Sequence, residues 1–167
     1  MNITAGTLKG RKIITPDTKL VRPTLSKVRM AVFNVLQAYV EYENAVFLDM
    51  FGGSGVMGLE ALSRGFKEVT VIEKDKKIFQ TIKENYKLLG QEAEFLNIDT
   101  LNFKTDREFD VVYIDPPYYA GIYEQILKIL PEFKICVIEH PEEVVIKEYN
   151  LLKQKKYGDK LLTFLTK

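Results

Sequence analysis

Asp115-Pro116-Pro117-Tyr118 is the stretch of this chain best equipped for chemistry. It follows Phe109-Asp110-Val111-Val112-Tyr113-Ile114, an apolar run of the length expected for a strand buried inside a parallel sheet. Two prolines end that strand, because neither donates to a ladder and each pushes the preceding residue into extended backbone. The Asp115 carboxylate and the Tyr118 ring are therefore expected on a stiff loop at the sheet's carboxyl edge, where open α/β sheets bind ligands. An acid, two prolines and an aromatic suit methylation of an exocyclic amine on a flat base. Such an amine is a poor nucleophile, since its lone pair is conjugated with the ring. A carboxylate oxygen and a backbone carbonyl, aimed at its two N–H bonds, can localise that lone pair toward a methyl donor. Tyr118 offers a stacking face for a base taken out of its helix. The competing reading makes Asp115 a cap for a helix near residue 120, with prolines that merely break the strand.

A second constellation lies upstream. Ala45–Met50 reads as a short buried strand, and Phe51-Gly52-Gly53-Ser54-Gly55 turns from it into a helix over 56–64 that stops at Gly65. Glu68–Glu73 is a second strand, 75–89 a long helix ending at Gly90, and Glu94–Ile98 a third strand finishing at Asp99. Strand, glycine turn, helix, strand, acid is the pattern of a nucleoside-binding half: the glycines let backbone approach a ligand and the acid binds ribose hydroxyls. Glu73 stands eighteen residues after Gly55, close to the expected interval. Asp49, Glu73, Asp99 and Asp115 each end a successive predicted strand, which places four carboxylates along one sheet edge. Gly53-Ser54-Gly55-Val56-Met57-Gly58 fits a dinucleotide fingerprint, but Asp49 would set a negative charge near a pyrophosphate. An acid there suits a ligand with a cationic amine, such as S-adenosylmethionine; otherwise Asp49 bonds the loop amides.

The remaining elements position these groups. Alternating strands and helices imply a doubly wound parallel sheet, with a helix at about 120–130 and a fifth strand at 134–139. Runs on either side of Gly158 predict a closing hairpin, hence an antiparallel last strand. Val28, Val32, Val35, Leu36 and Tyr39 recur at helical spacing, which predicts a helix over 25–40 capped by Thr24 or Ser26, with Asn34 an ordinary polar residue within it. Residues 2–14 read as a β-hairpin with glycines near its turn. The first 29 residues hold Lys9, Arg11, Lys12, Lys19, Arg22, Lys27 and Arg29 against only Asp17, although the whole chain has a net charge of +1. A basic arm on a mildly acidic body suggests phosphate contact at one end, or a solvated face.

At 167 residues the expectation is one domain, 1–167, with 1–16 as a basic amino-terminal hairpin extension. The lone Cys136 sits in an apolar run and reads as a core residue; it allows no internal disulfide and no two-cysteine metal site, which suits a reducing cytosol. No apolar signal segment or membrane-length run is visible, so a soluble, cytoplasmic protein is expected, with no metal. His140 and Glu139 beside it receive no chemical role.

These residues together resemble the RsmD family, bacterial guanine-N2 methyltransferases of 16S ribosomal RNA. The resemblance runs nearly end to end: Gly6, Gly10-Arg11 and Pro16, Arg22-Pro23-Thr24, Val28-Arg29, Phe33-Asn34, Leu48–Gly55, Gly58–Gly65, Glu73, Asp115–Tyr118 and Tyr157-Gly158. It implies a Rossmann-like class I methyltransferase with strand order 3-2-1-4-5-7-6 that uses S-adenosyl-L-methionine. Asp49, Phe51, Gly52, Gly53, Ser54 and Gly55 would hold its methionine part, Glu73 the ribose and Asp99 the adenine. Asp115, Pro116 and Tyr118 would hold the target amine, while Lys9, Arg11, Lys12, Arg22 and Lys27 would contact RNA. The implied partner is 16S ribosomal RNA in an assembling or assembled small subunit, met by a monomer. Gly52 stands where the family often has alanine, and Met30 where glutamate is common. The rival readings are a DNA adenine-N6 methyltransferase, since the same loop serves either amine, and a silent ribosome-assembly factor that binds RNA.

Overall fold

The computed structural model describes residues 1–17, 23–119 and 121–167. Their apolar runs become β1 Val46–Asp49, β2 Glu68–Ile72, β3 Glu94–Leu96, β4 Phe109–Ile114, β5 Phe133–Pro141, β6 Asn150–Tyr157 and β7 Lys160–Thr166. Among the described residues these form one seven-stranded sheet in the order β3-β2-β1-β4-β5-β7-β6. β1 to β5 run parallel, whereas β7 is antiparallel to β5 and β6 to β7. The chain order reverses between β1 and β4, and the crevice beyond that pair is where ligands of doubly wound sheets bind.

Both faces of the sheet's centre are covered, which is why β1, β4 and β5 are largely apolar, whereas the edge strand β6 is mostly exposed and polar. Val111, Tyr113, Ile135, Val137 and Phe164 pack on one side, against α1 (Ser26–Leu36), α2 (Val56–Ser63) and α3 (Lys76–Leu88). Their neighbours Val112, Ile114, Cys136, Ile138 and Leu165 pack on the other, against α4 (Ile122–Leu127). Side chains alternate along a strand, so one residue's step exchanges the two faces. Cys136 is fully buried, and burial pushes its thiol well above the usual range, as an inert core residue requires.

Several boundaries differ from expectation. α1 is capped by neither Thr24 nor Ser26: Leu25 holds the cap position without a side-chain bond, and Arg29 Nη1 takes the Thr24 carbonyl at 2.5 Å. The helix stops at Leu36 rather than 40, its last residues closing as turns. β3 ends at Leu96, and Asp99 instead caps the short 3-10 turn Thr100–Asn102, accepting from Leu101 N at 3.0 Å. α4 is half the expected length. β5 runs on through His140 and Pro141 because β7 pairs with it there.

The amino-terminal hairpin forms only one antiparallel bridge, Asn2 with Lys12, and joins no sheet. It is strapped onto α2 and α3. Ile3, Leu8 and Ile13 are buried, Thr4 N donates to Glu60 Oε1 at 2.9 Å, and Leu8 N donates to Ser63 Oγ at 2.9 Å. At Gly6 a Cβ would stand 1.8 Å from the Ser63 carbonyl oxygen, so glycine is obligatory there. Asn85 of α3 is buried; its amide donates to Ile14 O at 2.8 Å and Ser54 O at 3.0 Å, tying the strap to the glycine turn. The arm is part of the fold, and only its charged tips are free to meet a partner.

Candidate active site

β1, β2 and β4 point their carboxyl ends into one cleft of about 720 Å³, a size suited to a small-molecule ligand. Asp49 ends β1, opposite Tyr113 of β4, and Glu73 and Asp115 each follow their strand by one residue. Asp99 reaches the same cleft from its 3-10 turn. The four acids expected along this edge are therefore together, joined by Asp75.

The glycine turn forms the cleft's wall. Gly53 has φ +55° and Gly55 φ +77°, left-handed backbone that favours glycine. Phe51, Gly52, Gly53 and Ser54 line the cleft. Gly55 does not: a Cβ there would meet Ile82 and Tyr86 of α3 at 3.0 and 3.1 Å, so this glycine admits the helix, not a ligand. Gly52 serves both ends, since a Cβ would approach Val71 and Ile82 within 2.8 Å while its backbone faces the cleft. The residue lacking a side chain thus packs the turn tightly here.

Burial sets the electrostatics. Asp49 is fully buried, and loss of water pushes its carboxyl from 3.8 up to about 7; the Phe51 amide at 3.2 Å opposes this, and the charges of Asp115 and Glu73 add to it. Glu73 is also raised, chiefly by burial, although its oxygens accept from Asp75 N at 2.8 Å and Gly53 N at 3.1 Å. Among the described residues, five acids but only Lys74 and Lys160 line the cleft. That balance, with a buried acid beside a glycine turn, fits a ligand that brings positive charge.

Gly121 holds the cap position of α4, and Asp115 stands on the loop before it. Asp115 Oδ1 lies 3.4 Å from Lys160 Nζ. Pro116 is buried, while Pro117 and Tyr118 face the opening; the Tyr118 ring is 45% exposed, enough to receive a flat partner. Tyr119 and Thr24 line the same mouth. Lys160 and Tyr119 escape a reading of sequence alone. Tyr119 merely follows Tyr118, and Lys160 is one lysine among many in the tail, 45 residues from its partner.

Among the described residues, the basic side chains expected to contact RNA do not line this cleft. Lys9, Arg11 and Lys12 are exposed on the strap, whose turn lies at the Ser63 end of α2, about 12 Å of helix away from the glycine turn. Lys27 is exposed at the start of α1 and lines a smaller groove of about 150 Å³ that shares Thr24 and Lys160 with the cleft. Arg22 lies outside the described residues. His140 keeps a structural place, buried with Nε2 2.8 Å from Thr163 Oγ1. Among the described residues no cluster of His, Cys, Asp or Glu could hold a metal ion, and no helix is long and apolar enough to cross a membrane.

Comparison with known proteins agrees with this geometry. Residues 1–166 match the family model described as Conserved hypothetical protein 95. The chain is 36% identical to Ribosomal RNA small subunit methyltransferase D of Buchnera aphidicola subsp. Acyrthosiphon pisum, over 92% of this chain and 86% of that one. It is 34% identical to the protein of the same name from Haemophilus influenzae, over 95% and 89%. Among solved structures, yhhF of Escherichia coli superposes with a TM-score of 0.87 at 28% identity, covering 99% of this chain and 97% of that one.

Proposed function

From the premise that the chain belongs to the family described as Conserved hypothetical protein 95, we propose that it is a ribosomal RNA methyltransferase. The fold is Rossmann-like, the cofactor is S-adenosyl-L-methionine, and the substrate is 16S ribosomal RNA of the small subunit. The whole chain serves as one catalytic domain acting in the cytoplasm, on the N2 amine of a guanine. The observation that carries this reading is the Asp115–Tyr118 loop opening beside an acidic, glycine-walled cleft.

The cofactor supplies a methyl group made electrophilic by its sulfonium. Asp49 and the turn Phe51–Ser54 would hold the amino-acid end, the Asp49 carboxylate serving its ammonium. Glu73 would take the ribose hydroxyls and Asp99 the adenine side. Asp115 and the Pro116 carbonyl accept from the target amine, turning its lone pair toward the methyl, and Tyr118 stacks on the base. A carboxylate is the stronger acceptor of the pair and favours the positive charge that grows on nitrogen.

The test is methyl transfer from labelled cofactor to small subunits from cells lacking this protein, with the product mapped by mass spectrometry. N2-methylguanosine in 16S RNA is the expected product. Label on duplex DNA adenine, or binding to subunits without transfer, would replace this reading by a DNA enzyme or an assembly factor.

Asp49 makes cofactor binding depend on pH. With its carboxyl at about 7, the apo protein loses stability as pH rises from the ordinary 3.8 through about 7, because the folded state resists ionising a buried acid. A cationic ligand needs that ionised form, so affinity should rise with pH and level off above 7. Calorimetry should find binding about tenfold weaker at pH 6 than at pH 8. Asp49→Asn should be weak throughout and flat across that range, and a flat wild-type profile would take Asp49 away from the ammonium.

The strap's charge makes a separate prediction. Deleting residues 1–14 would strip Asn85, Ser63 and Glu60 of their bonds to the strap and uncover the apolar surface under Ile3, Leu8 and Ile13, so it tests folding rather than RNA contact. Neutralising Lys9, Arg11 and Lys12 together leaves those bonds intact. Subunit binding should weaken and its log–log salt slope should flatten by about two to three. An unchanged slope would limit the strap to its structural role.

A further inference from the structure

We propose that Lys160 is a positioning residue that aims the Asp115 carboxylate at the target amine and balances its charge. The inference rests on the methyltransferase reading and extends it to a residue of the carboxy-terminal hairpin.

Lys160 begins β7, where its partner across the ladder is Pro141 of β5. Its ammonium lies 3.4 Å from Asp115 Oδ1, 3.2 Å from Glu139 Oε2 and 4.8 Å from the centre of the Tyr118 ring. One cation thus touches both the acid and the aromatic of the candidate catalytic loop. The side chain is only 15% exposed, as Asp115 is at 16% and Glu139 at 5%, so solvent screens these charges poorly. Glu139 is itself held, accepting from the Tyr113 hydroxyl. The chain Tyr113–Glu139–Lys160–Asp115 links three strands and ends at the carboxylate.

A lysine this sheltered needs a reason to stay charged. Burial alone would lower its pKa, but Asp115, the Tyr118 hydroxyl and Glu139 raise it above the usual value. The titratable groups around the pair are Asp49 on β1, Tyr113 on β4, Tyr118 on the loop, Tyr123 on α4 and Glu139 on β5. Lys27, Tyr157 and Asp159 face Lys160 across the smaller groove. Asp49 and Glu139 are further acids beside Asp115, so losing Lys160 takes a positive charge out of an acidic setting. An acid in that setting holds its proton to higher pH, and its neutral form is a poorer acceptor for an amine hydrogen.

Carbon-13 carboxyl NMR of the full chain, with the Asp115 signal assigned by its absence in Asp115→Asn, reads this directly. Lys160→Met should move the Asp115 titration upward by about one pH unit or more, the effect of losing an adjacent opposite charge. Lys160→Arg should leave it near wild type. Glu139→Gln with Lys160→Met removes the orphaned buried acid while keeping an acceptor for Tyr113, so it serves if the single variant fails to fold, and a rise in the same direction is expected relative to Glu139→Gln alone. Single-turnover methyl transfer to undermethylated small subunits should show its acid limb displaced by a matching amount in Lys160→Met, with recovery in Lys160→Arg. An unmoved Asp115 titration overturns the proposal. So does a rate reduced equally at every pH, which marks a merely structural lysine. Absence of transfer by the wild-type protein would instead remove the methyltransferase reading, and the titration would still decide whether Lys160 governs Asp115.

Discussion

Replacing Asp115 with alanine is expected to slow single-turnover methyl transfer by about 100-fold or more, the scale of losing one preorganised electrostatic partner in an active site. The substitution removes an acceptor whose worth grows as charge develops on the amine, so it acts on the transition state more than on binding. Asp115→Asn keeps a carbonyl acceptor and loses the charge, and should fall between alanine and wild type. The fold should tolerate both, because Lys160 retains Glu139 as its counter-ion at 3.2 Å. Cofactor affinity should stay close to normal if Asp115 serves the base, as proposed, and the glycine turn the cofactor. The deciding measurement is the single-turnover rate at saturating cofactor on undermethylated small subunits. An alanine variant within a few-fold of wild type would reduce Asp115 to a loop acid.

Glu60→Ala is expected to cost the protein about 3–5 kcal/mol, the penalty for stripping a buried cation of its partner. Glu60 is 0% and Arg29 1% exposed, with Arg29 Nε 3.0 Å from Glu60 Oε1. Arg64 bonds the other carboxylate oxygen, which also accepts from the Thr4 hydroxyl at 2.9 Å. One carboxylate therefore joins α1, α2 and the amino-terminal strap. Arg29 carries the link onward by donating to Thr24 O at 2.5 Å and Asn2 O at 2.7 Å, and Thr24 stands at the cleft's mouth. For a domain of this size the loss corresponds to a fall of roughly 6–20 °C in Tm. Glu60→Gln should cost less than alanine, because it keeps an acceptor for Thr4 N while losing the charge. Urea unfolding of the three proteins tests this, and a loss below about 1 kcal/mol for alanine would mean that the guanidiniums find water on repacking.

The two sites differ in how far they can be read without coordinates. Asp115, Pro116 and Tyr118 declare themselves because proline dictates local backbone, and a strand that must end at Asp115 leaves its carboxylate at the sheet edge. The glycine turn is equally local, as is the parallel order of β1 to β5, since buried strands and amphipathic helices alternate along the chain. Arg29 and Glu60 carry no such signal. Each has the composition of a solvated helix residue, and only the crossing of α1, α2 and the strap buries them together.

What the amino-acid sequence determined by itself is therefore whatever rests on short-range stereochemistry: the strand ends, the glycine turn, the stiff acidic loop and the basic strap. Tertiary structure alone decided three things. It packed the strap onto the fold while leaving its charged residues exposed, because Ile3, Leu8 and Ile13 join the apolar cluster that the helices build on the sheet. It raised Asp49 to about 7, because desolvation depends on what surrounds a residue and not on its neighbours in the chain. It also set Lys160 against Asp115, through an antiparallel pairing of β7 with β5 that brings residues 45 apart within 3.4 Å. Charge and burial act across space, and periodicity along a chain records only the part of that space a single element sees.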